Sequence, residues 1–494
     1  MPCTASSILT ARDQGRYLYE HLPPGLFRTT GSAGAAEPTT DEGGRTEGID
    51  GSTVAWRIAP EPFALSPTTL ERIVSLGDDL LAFYRALNGL YTRSARGTAP
   101  AFVAEYLDRG KPEHIIRLSR QNRFKGDLPG VIRPDLILTD DGYVASELDS
   151  VPGGMGFVAA MAHTYCELGI DTSGGSDGMV SGFVRMCASV SSKEHPTIAI
   201  VVSQESDDYR GELTWLADRA SALGLAAAYV CSPQEIIFTE EALFIRRPDG
   251  REEKIDVLYR NFELFDLLNV PKQELMLYAA RHNRVALTPP AKAQLEEKAS
   301  FALLHHPHLA KLWRKELGGT VYERLLSIFP QTWVVDPRPL PPQAAIVGLE
   351  AAGEPVSDWM QLGPLGKGER DYVIKPSGFS ALAWGSRGVR VANDLTKEAW
   401  LAALTEAVEA FDRTPYILQR FHKGRRVSVQ YYDRASDELK TMDGRVRLCP
   451  YYFVEGERTQ LGGILATVAP ADKRLIHGMN DAIMSPCVVK EGGA

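Results

Sequence analysis

The sequence predicts a mixed protein, α/β in its middle and α+β in its last third, and three observations carry that expectation. From about residue 197 short apolar runs alternate with helical periods. Beyond a proline-rich stretch at 335–343 (VDPRPLPPQ), apolar runs follow one another with a single helix among them. Between residues 66 and 91 the apolar positions keep a helical period. Strand and helix in alternation favour a largely parallel layer, whereas a succession of strands favours an antiparallel sheet. A chain of 494 residues has room for about three such units.

Taken in order, residues 31–52 are rich in glycine and hold no aromatic residue, so they cannot offset the entropy of ordering and are expected to be a mobile loop. Leu70, Ile73, Val74, Leu80, Leu81, Tyr84, Leu87 and Tyr91 then mark a long amphipathic helix, with Ser66 as its cap and Pro67 in its first turn. A hairpin is expected over 132–154 and a helix over about 157–168. TIAIVV, LAAAYV and KIDVLYRNF read as strands, with the helix ELTWLADRASALG closing on Gly224. Residues 287–328 read as mostly helical. YVIKP, GVRVA, YILQRF, RVSVQYYD, RVRLCPYYF and GILATVA read as strands around one helix at about 396–412, which carries Trp400, Leu404, Val408 and Phe411. The expected division is 1–60, 61–190, 191–335 and 336–494.

Composition excludes several classes. Lys and Arg number 54 against 63 Asp and Glu, a net charge of −9, which argues against a protein held to nucleic acid by bulk charge. No apolar run reaches the roughly 18 residues needed to cross a bilayer, and the start of the chain lacks a basic flank before an apolar segment. The six cysteines, Cys3, Cys166, Cys187, Cys231, Cys449 and Cys487, have no zinc-site spacing and read as buried thiols. The expectation is a cytoplasmic protein, not one bound to its partners through bulk positive charge.

The most informative segment is IRPDLILTDDGYVASELDSVPGG, from Ile132 to Gly154. A three-residue turn at Asp140-Asp141-Gly142 pairs Leu138 with Val144, Ile137 with Ala145, Asp135 with Glu147 and Arg133 with Asp149. A two-residue turn at 141 and 142 would set Asp135 against Leu148, a worse match. The favoured register gathers Arg133, Asp135, Glu147 and Asp149 on one face. Three carboxylates with one arginine repel one another, which suggests a divalent cation; all-oxygen ligands suit Mg²⁺ or Mn²⁺.

DYVIKPSGFSALAWGSRGVRV places Lys375 at the end of an apolar strand, followed by Ser377, Gly378, Ser380, Gly385, Ser386 and Gly388 before the next strand. Such a loop can fold its backbone N–H groups over phosphates, with Lys375 and Arg387 supplying charge. It is not a Walker loop. YILQRF is an apolar strand whose Gln419 can hydrogen-bond the edge of a base.

Together these segments resemble the ATP-grasp superfamily, and within it the circularly permuted branch that includes glutathionylspermidine synthetase-like ligases. Arg133-x-Asp135 followed by Glu147-x-Asp149 resembles that branch's R-x-D…E-x-N pattern, V-I-K-P with G-S-R-G-V its nucleotide lysine and phosphate loop, and I-L-Q its hinge strand. The acids precede the lysine, as in the permuted order. One departure is Asp149, where the branch has asparagine. The resemblance implies a circularly permuted ATP-grasp fold with an α/β preATP-grasp-like layer, and an ATP-dependent ligase that joins a carboxylate to an amine through an acyl phosphate. It further implies Mg²⁺ on Asp135, Glu147 and Asp149, Lys375 on the α- and β-phosphates, and Gly385, Ser386, Arg387 and Gly388 as a lid. Gln419 and Phe421 would lie beside adenine, and Arg133 would be the catalytic residue.

Val151-Pro152-Gly153-Gly154 precedes a helix, whose N-terminus, with Gly153 and Gly154, could receive an anionic substrate group; a purely structural turn is the equal alternative. Gly154-x-Gly156-x-x-Ala159 also mimics a dinucleotide fingerprint, but the strand before it is acidic. His305, His306 and His308 read as a polar loop between helices. Arg260 either meets substrate or forms an ion pair, and one of Arg445 and Arg447 is expected to reach phosphate. Two rivals to the ligase are a nucleotide-binding regulatory protein without turnover and a dinucleotide-dependent oxidoreductase.

Overall fold

The computed structural model describes residues 9–23, 25–26, 56–247, 249–383, 385–476 and 481–494; the loop expected at 31–52 and Cys3 lie outside them. Three of the five sheets among the described residues position the site; most of their strands read as strands in the sequence, but Arg57–Ile58, Phe63–Leu65, Ala286–Thr288, Thr332–Val334 and Ile483–Val489 do not.

The largest sheet runs Arg426–Asp433, Arg57–Ile58, Ile483–Val489, Arg458–Pro470, Glu438–Glu455, Val131–Thr139, Gly142–Asp149, with Phe63–Leu65 added on Ile483–Val489. Most of its pairings are antiparallel. The helix Pro67–Ala95 packs on it. Ser66 caps that helix through the Thr69 N–H at 3.2 Å, and Ile73, Leu80, Leu87 and Tyr91 are buried along one stripe.

The second sheet has the order Ala286–Thr288, Val257–Asn261, Thr197–Val202, Ala227–Cys231. All its pairings are parallel. Thr197–Val202 is buried at every position, which is what a strand covered on both faces requires. The helix Arg210–Ala222 crosses from it to Ala227–Cys231.

The third sheet, Thr332–Val334, Tyr416–Arg420, Tyr372–Pro376, Arg390–Val391, is antiparallel. The helix Lys397–Glu409, capped by Thr396, covers one face with Trp400 and Leu404 fully buried. The stretch 287–328 contains the helices Ala299–His305, Ala310–Leu317 and Gly319–Ile328, preceded by an irregular segment at 289–298 rather than by more helix. Four cysteines, Cys187, Cys231, Cys449 and Cys487, are buried free thiols; Cys166 is disulfide-bonded, which corrects the reading of it as a thiol. Among the described residues no helix is long and apolar enough to cross a membrane.

Candidate functional site

The hairpin Val131–Thr139 and Gly142–Asp149 pairs Arg133 with Asp149 and Asp135 with Glu147, as the charge pattern requires. Its turn is tighter than expected. Thr139 faces Gly142, so the turn residues are Asp140 and Asp141, Leu138 faces Tyr143, and Ile137 faces Val144. A β-bulge at Ser146 takes up the odd residue, since Asp135 opposes Glu147 while Leu136 opposes Ala145. The bulge leaves the Ser146 carbonyl out of the ladder, and the Lys375 ammonium from the third sheet donates to it at 2.8 Å. Lys375 also donates to Gln419 Oε1 at 2.9 Å, and Gln419 Nε2 donates to Thr332 Oγ1 at 3.2 Å.

The carboxylates are neutralised by the chain itself. Arg447 lies 2.8 Å and Arg133 Nε 3.2 Å from Asp135, and Cys449 Sγ approaches the same carboxylate at 3.4 Å. Arg133 also reaches Asp149 at 3.0 Å and donates to the Gly153 carbonyl at 3.3 Å. Lys298 pairs with Glu147 at 2.6 Å. The excess of acid over one arginine that the hairpin shows in sequence is reduced in the structure, because Arg447 and Lys298 arrive from segments remote in sequence. Burial raises the Asp135 pKa, but Arg447 and Arg133 more than offset it and the net shift is downward. For Asp149 burial prevails over Arg133 and the shift is upward. Burial pushes the Lys375 ammonium down to about 8 against the pull of Glu147.

Two cavities meet at this hairpin. One of about 330 Å³ is lined by Arg133, Glu147, Asp149, Glu263, Glu296 and Lys298, with Gly385 and Ser386 from the glycine loop. The other, about 100 Å³, lies between the aliphatic side of the hairpin (Ile137, Val144) and the third sheet, with Lys375, Gln419 and Phe421 in its wall. Asp135, Glu147, Ser386 and Arg447 border both.

The oxygens suit Mg²⁺, but the three acids do not form a cage. Among the described residues no group of three or more metal-ligating side chains converges. The Asp135 side chain is 5% exposed and holds two arginines, whereas those of Glu147 and Asp149 are 34% and 25% exposed. The oxygens of Glu147 and Asp149 are thus the more accessible to a cation, while Asp135 anchors Arg133 and Arg447.

Other expectations are corrected in place. The Gly154 N–H is not open to substrate: Glu212 accepts from it at 2.6 Å and from the Phe157 N–H at 2.8 Å, so a carboxylate of the chain occupies the N-terminus of the helix Met155–Glu167. Gly154 has φ of 91°, and a Cβ at Gly156 would lie 1.8 Å from the Glu212 carbonyl oxygen, so these glycines serve the turn and the close approach of two helices. Gly153 lines the larger cavity, but its carbonyl accepts from Arg133 and from Tyr451 Oη at 2.8 Å. The Gln419 side chain is held by Lys375 and Thr332. Arg387 pairs with Glu205 at 3.0 Å, and Gly388 donates to the Leu382 carbonyl at 2.8 Å, closing the base of its loop. Of the undecided arginines, Arg447 enters the site, Arg445 binds the carbonyls of Gly424, Ala471 and Lys473, and Arg260 is buried against Glu296 and three carbonyls.

No family model matches the chain, and no curated protein is similar to it in sequence. Among solved structures, a glutathione synthetase like-effector from Globodera pallida in its apo form superposes with a TM-score of 0.56 at 12% identity, covering 97% of this chain and 95% of that one. The likeness is one of fold. A putative gamma-glutamylcysteine synthetase from Methylobacillus flagellatus KT matches at 10% identity over 77% of this chain and 85% of that one, with a TM-score of 0.39, too loose to inform the architecture.

Sequence reasoning missed Glu212, Glu263, Glu296 and Lys298. The last two sit in PPAKAQLEEKAS, where a charged triplet interrupts an apolar stretch, a signal that was available. The triplet faces three ways: Glu296 to Arg260, Glu297 to Lys111 and Ser377, and Lys298 to Glu147. Glu212 and Glu263 carry no such mark.

Proposed function

We propose that the chain is an ATP-dependent ligase that joins a carboxylate to an amine through an acyl phosphate, with a circularly permuted ATP-grasp arrangement. The observation that carries the reading is the junction of the two cavities, where the accessible oxygens of Glu147 and Asp149 stand among Arg133, Arg447, Lys298 and Lys375. Adenine would enter the smaller cavity beside Phe421 and the backbone at 419–421. The phosphates would run past Lys375 and Lys298 into the larger cavity, under Gly385 and Ser386. Glu147 and Asp149 would hold Mg²⁺, or Mn²⁺ on the same oxygens, which supplies charge that offsets the phosphates. Arg133 and Arg447, fixed by Asp135, are placed to stabilise charge on the transferring phosphoryl group, and no side-chain nucleophile is required. The fold likeness to a glutathione synthetase like-effector supports this reading.

The test is ADP release from Mg²⁺-ATP across a broad panel of carboxylates and amines. Release that needs both substrates is expected, and persistent absence of ADP would overturn the reading. Glu147→Gln should lower turnover at least a hundredfold with the circular dichroism spectrum retained; full activity would remove Glu147 from the site.

A further inference from the structure

Two motifs of the sequence take no part in the proposed site: the proline-rich stretch at 335–343 and His305-His306-Pro307-His308. The fold brings them together. With the edge strand Thr332–Val334 of the third sheet, they wall a cavity of about 590 Å³, larger than either cavity at the hairpin and sharing no lining residue with them.

The wall is built in advance. Four of the six residues 337–342 are proline, which fixes the backbone and leaves this strap little freedom to collapse inward. Both indole N–H groups at the cavity are spent on the strap's backbone: Trp333 donates to the Val347 carbonyl at 2.8 Å and Trp359 to the Asp336 carbonyl at 2.7 Å. The Ile346 N–H is tied to the Val356 carbonyl at 2.7 Å. Large apolar side chains nonetheless stay open to water on the same strap, Leu340 at 40% exposure and Val347 at 61%.

The charged side chains of the wall have partners within the chain. Asp336 pairs with Arg338 at 2.6 Å and accepts from Tyr106 Oη at 2.8 Å, and Arg338 also reaches Glu105 at 3.3 Å. Asp358 accepts from the Met360 N–H at 2.7 Å, capping a turn. Burial lowers the pKa of His305 and His306, which favours the neutral imidazole. With its charges and indole N–H groups engaged, the cavity offers a ligand mainly aromatic and aliphatic carbon. Pockets of this size and lining take small molecules. An apolar cavity of about 150 Å³ holds benzene, so this one has room for fused rings. We propose that it is a second ligand site, for an uncharged fused-ring aromatic molecule. This inference stands whether or not the chain is a ligase.

The probe is 2-naphthol, with naphthalene-2-carboxylate and 2-(aminomethyl)naphthalene as its anionic and cationic counterparts. Each is titrated into protein carrying 5-fluorotryptophan at its seven tryptophans, whose fluorine resonances are assigned by replacing the tryptophans one at a time with phenylalanine. 2-Naphthol should shift the Trp333 and Trp359 resonances saturably, while a remote tryptophan such as Trp215, packed beside the parallel sheet, stays in place. The charged counterparts should bind roughly tenfold more weakly, since a charge without a partner is costly to bury. Leu340→Asp and Val347→Asp, at exposed positions of the strap, should each raise the Kd of 2-naphthol about fivefold for the same reason, with thermal denaturation as the check on folding. No saturable shift at Trp333 and Trp359, equal shifts throughout the molecule, or a Kd unchanged by both substitutions would overturn the site. Charged probes that bind as tightly as 2-naphthol would overturn the ligand class.

Discussion

Two glycine-bearing turns, 150–157 and 377–388, look alike in the sequence and end differently in the structure. Both follow a strand that carries a site residue, and residues of both line the larger cavity. In the first, Glu212 fills the helix N-terminus from within the chain. In the second, Gly385 and Ser386 adopt left-handed conformations at φ of 61° and 62° and line the cavity, while the base of the loop is tied by Ser377 to Glu297 and by Gly388 to Leu382. A helix N-terminus attracts an anion of any origin. Whether it serves a ligand depends on whether the fold has already supplied a carboxylate.

The difference can be broken most forcefully at Glu212. It is fully buried, and burial pushes its pKa up to about 7, with the Gly154 and Phe157 N–H groups acting in the opposite direction. A folded-state pKa above the unfolded value of 4.5 gives stability that is fully present below about 4.5 and lost as pH rises through about 7. The full shift corresponds to roughly 3 kcal/mol. Denaturant titrations at pH 5 and pH 8 should show wild type losing up to that much stability relative to Glu212→Gln, whose side chain does not titrate; parallel losses in the two proteins would return the turn to the pool of ligand sites.

A smaller effect is expected at the strand that feeds the second turn. Lys375→Met should weaken ATP binding about thirtyfold, or ~2 kcal/mol, by removing a charged donor, as read by calorimetry. Affinity within twofold of wild type would take the loop's nucleotide role away. The smallest effect belongs to Arg387→Ala. Arg387 and Glu205 are both exposed, and such pairs contribute less than about 1 kcal/mol, so the melting temperature should barely move while KM for ATP rises a few-fold.

What could be read from the sequence was what short range decides. The Arg133–Asp149 and Asp135–Glu147 pairs follow from charge matching within one hairpin. The bulge at Ser146 does not, because it leaves those pairs intact and shifts only the aliphatic ones beyond it. The parallel layer followed from the buried run TIAIVV and its neighbours. Lys298 on Glu147 and Arg447 on Asp135 join residues more than 150 positions apart, and no local pattern records which distant cation will neutralise a given acid.

In the proposed reaction a substrate carboxylate is phosphorylated before the amine attacks. With a heavy oxygen isotope in that carboxylate, mass spectrometry of the inorganic phosphate released during amide formation tests it directly. Transfer of one labelled oxygen to phosphate is the predicted result, and phosphate free of label would contradict the acyl-phosphate route.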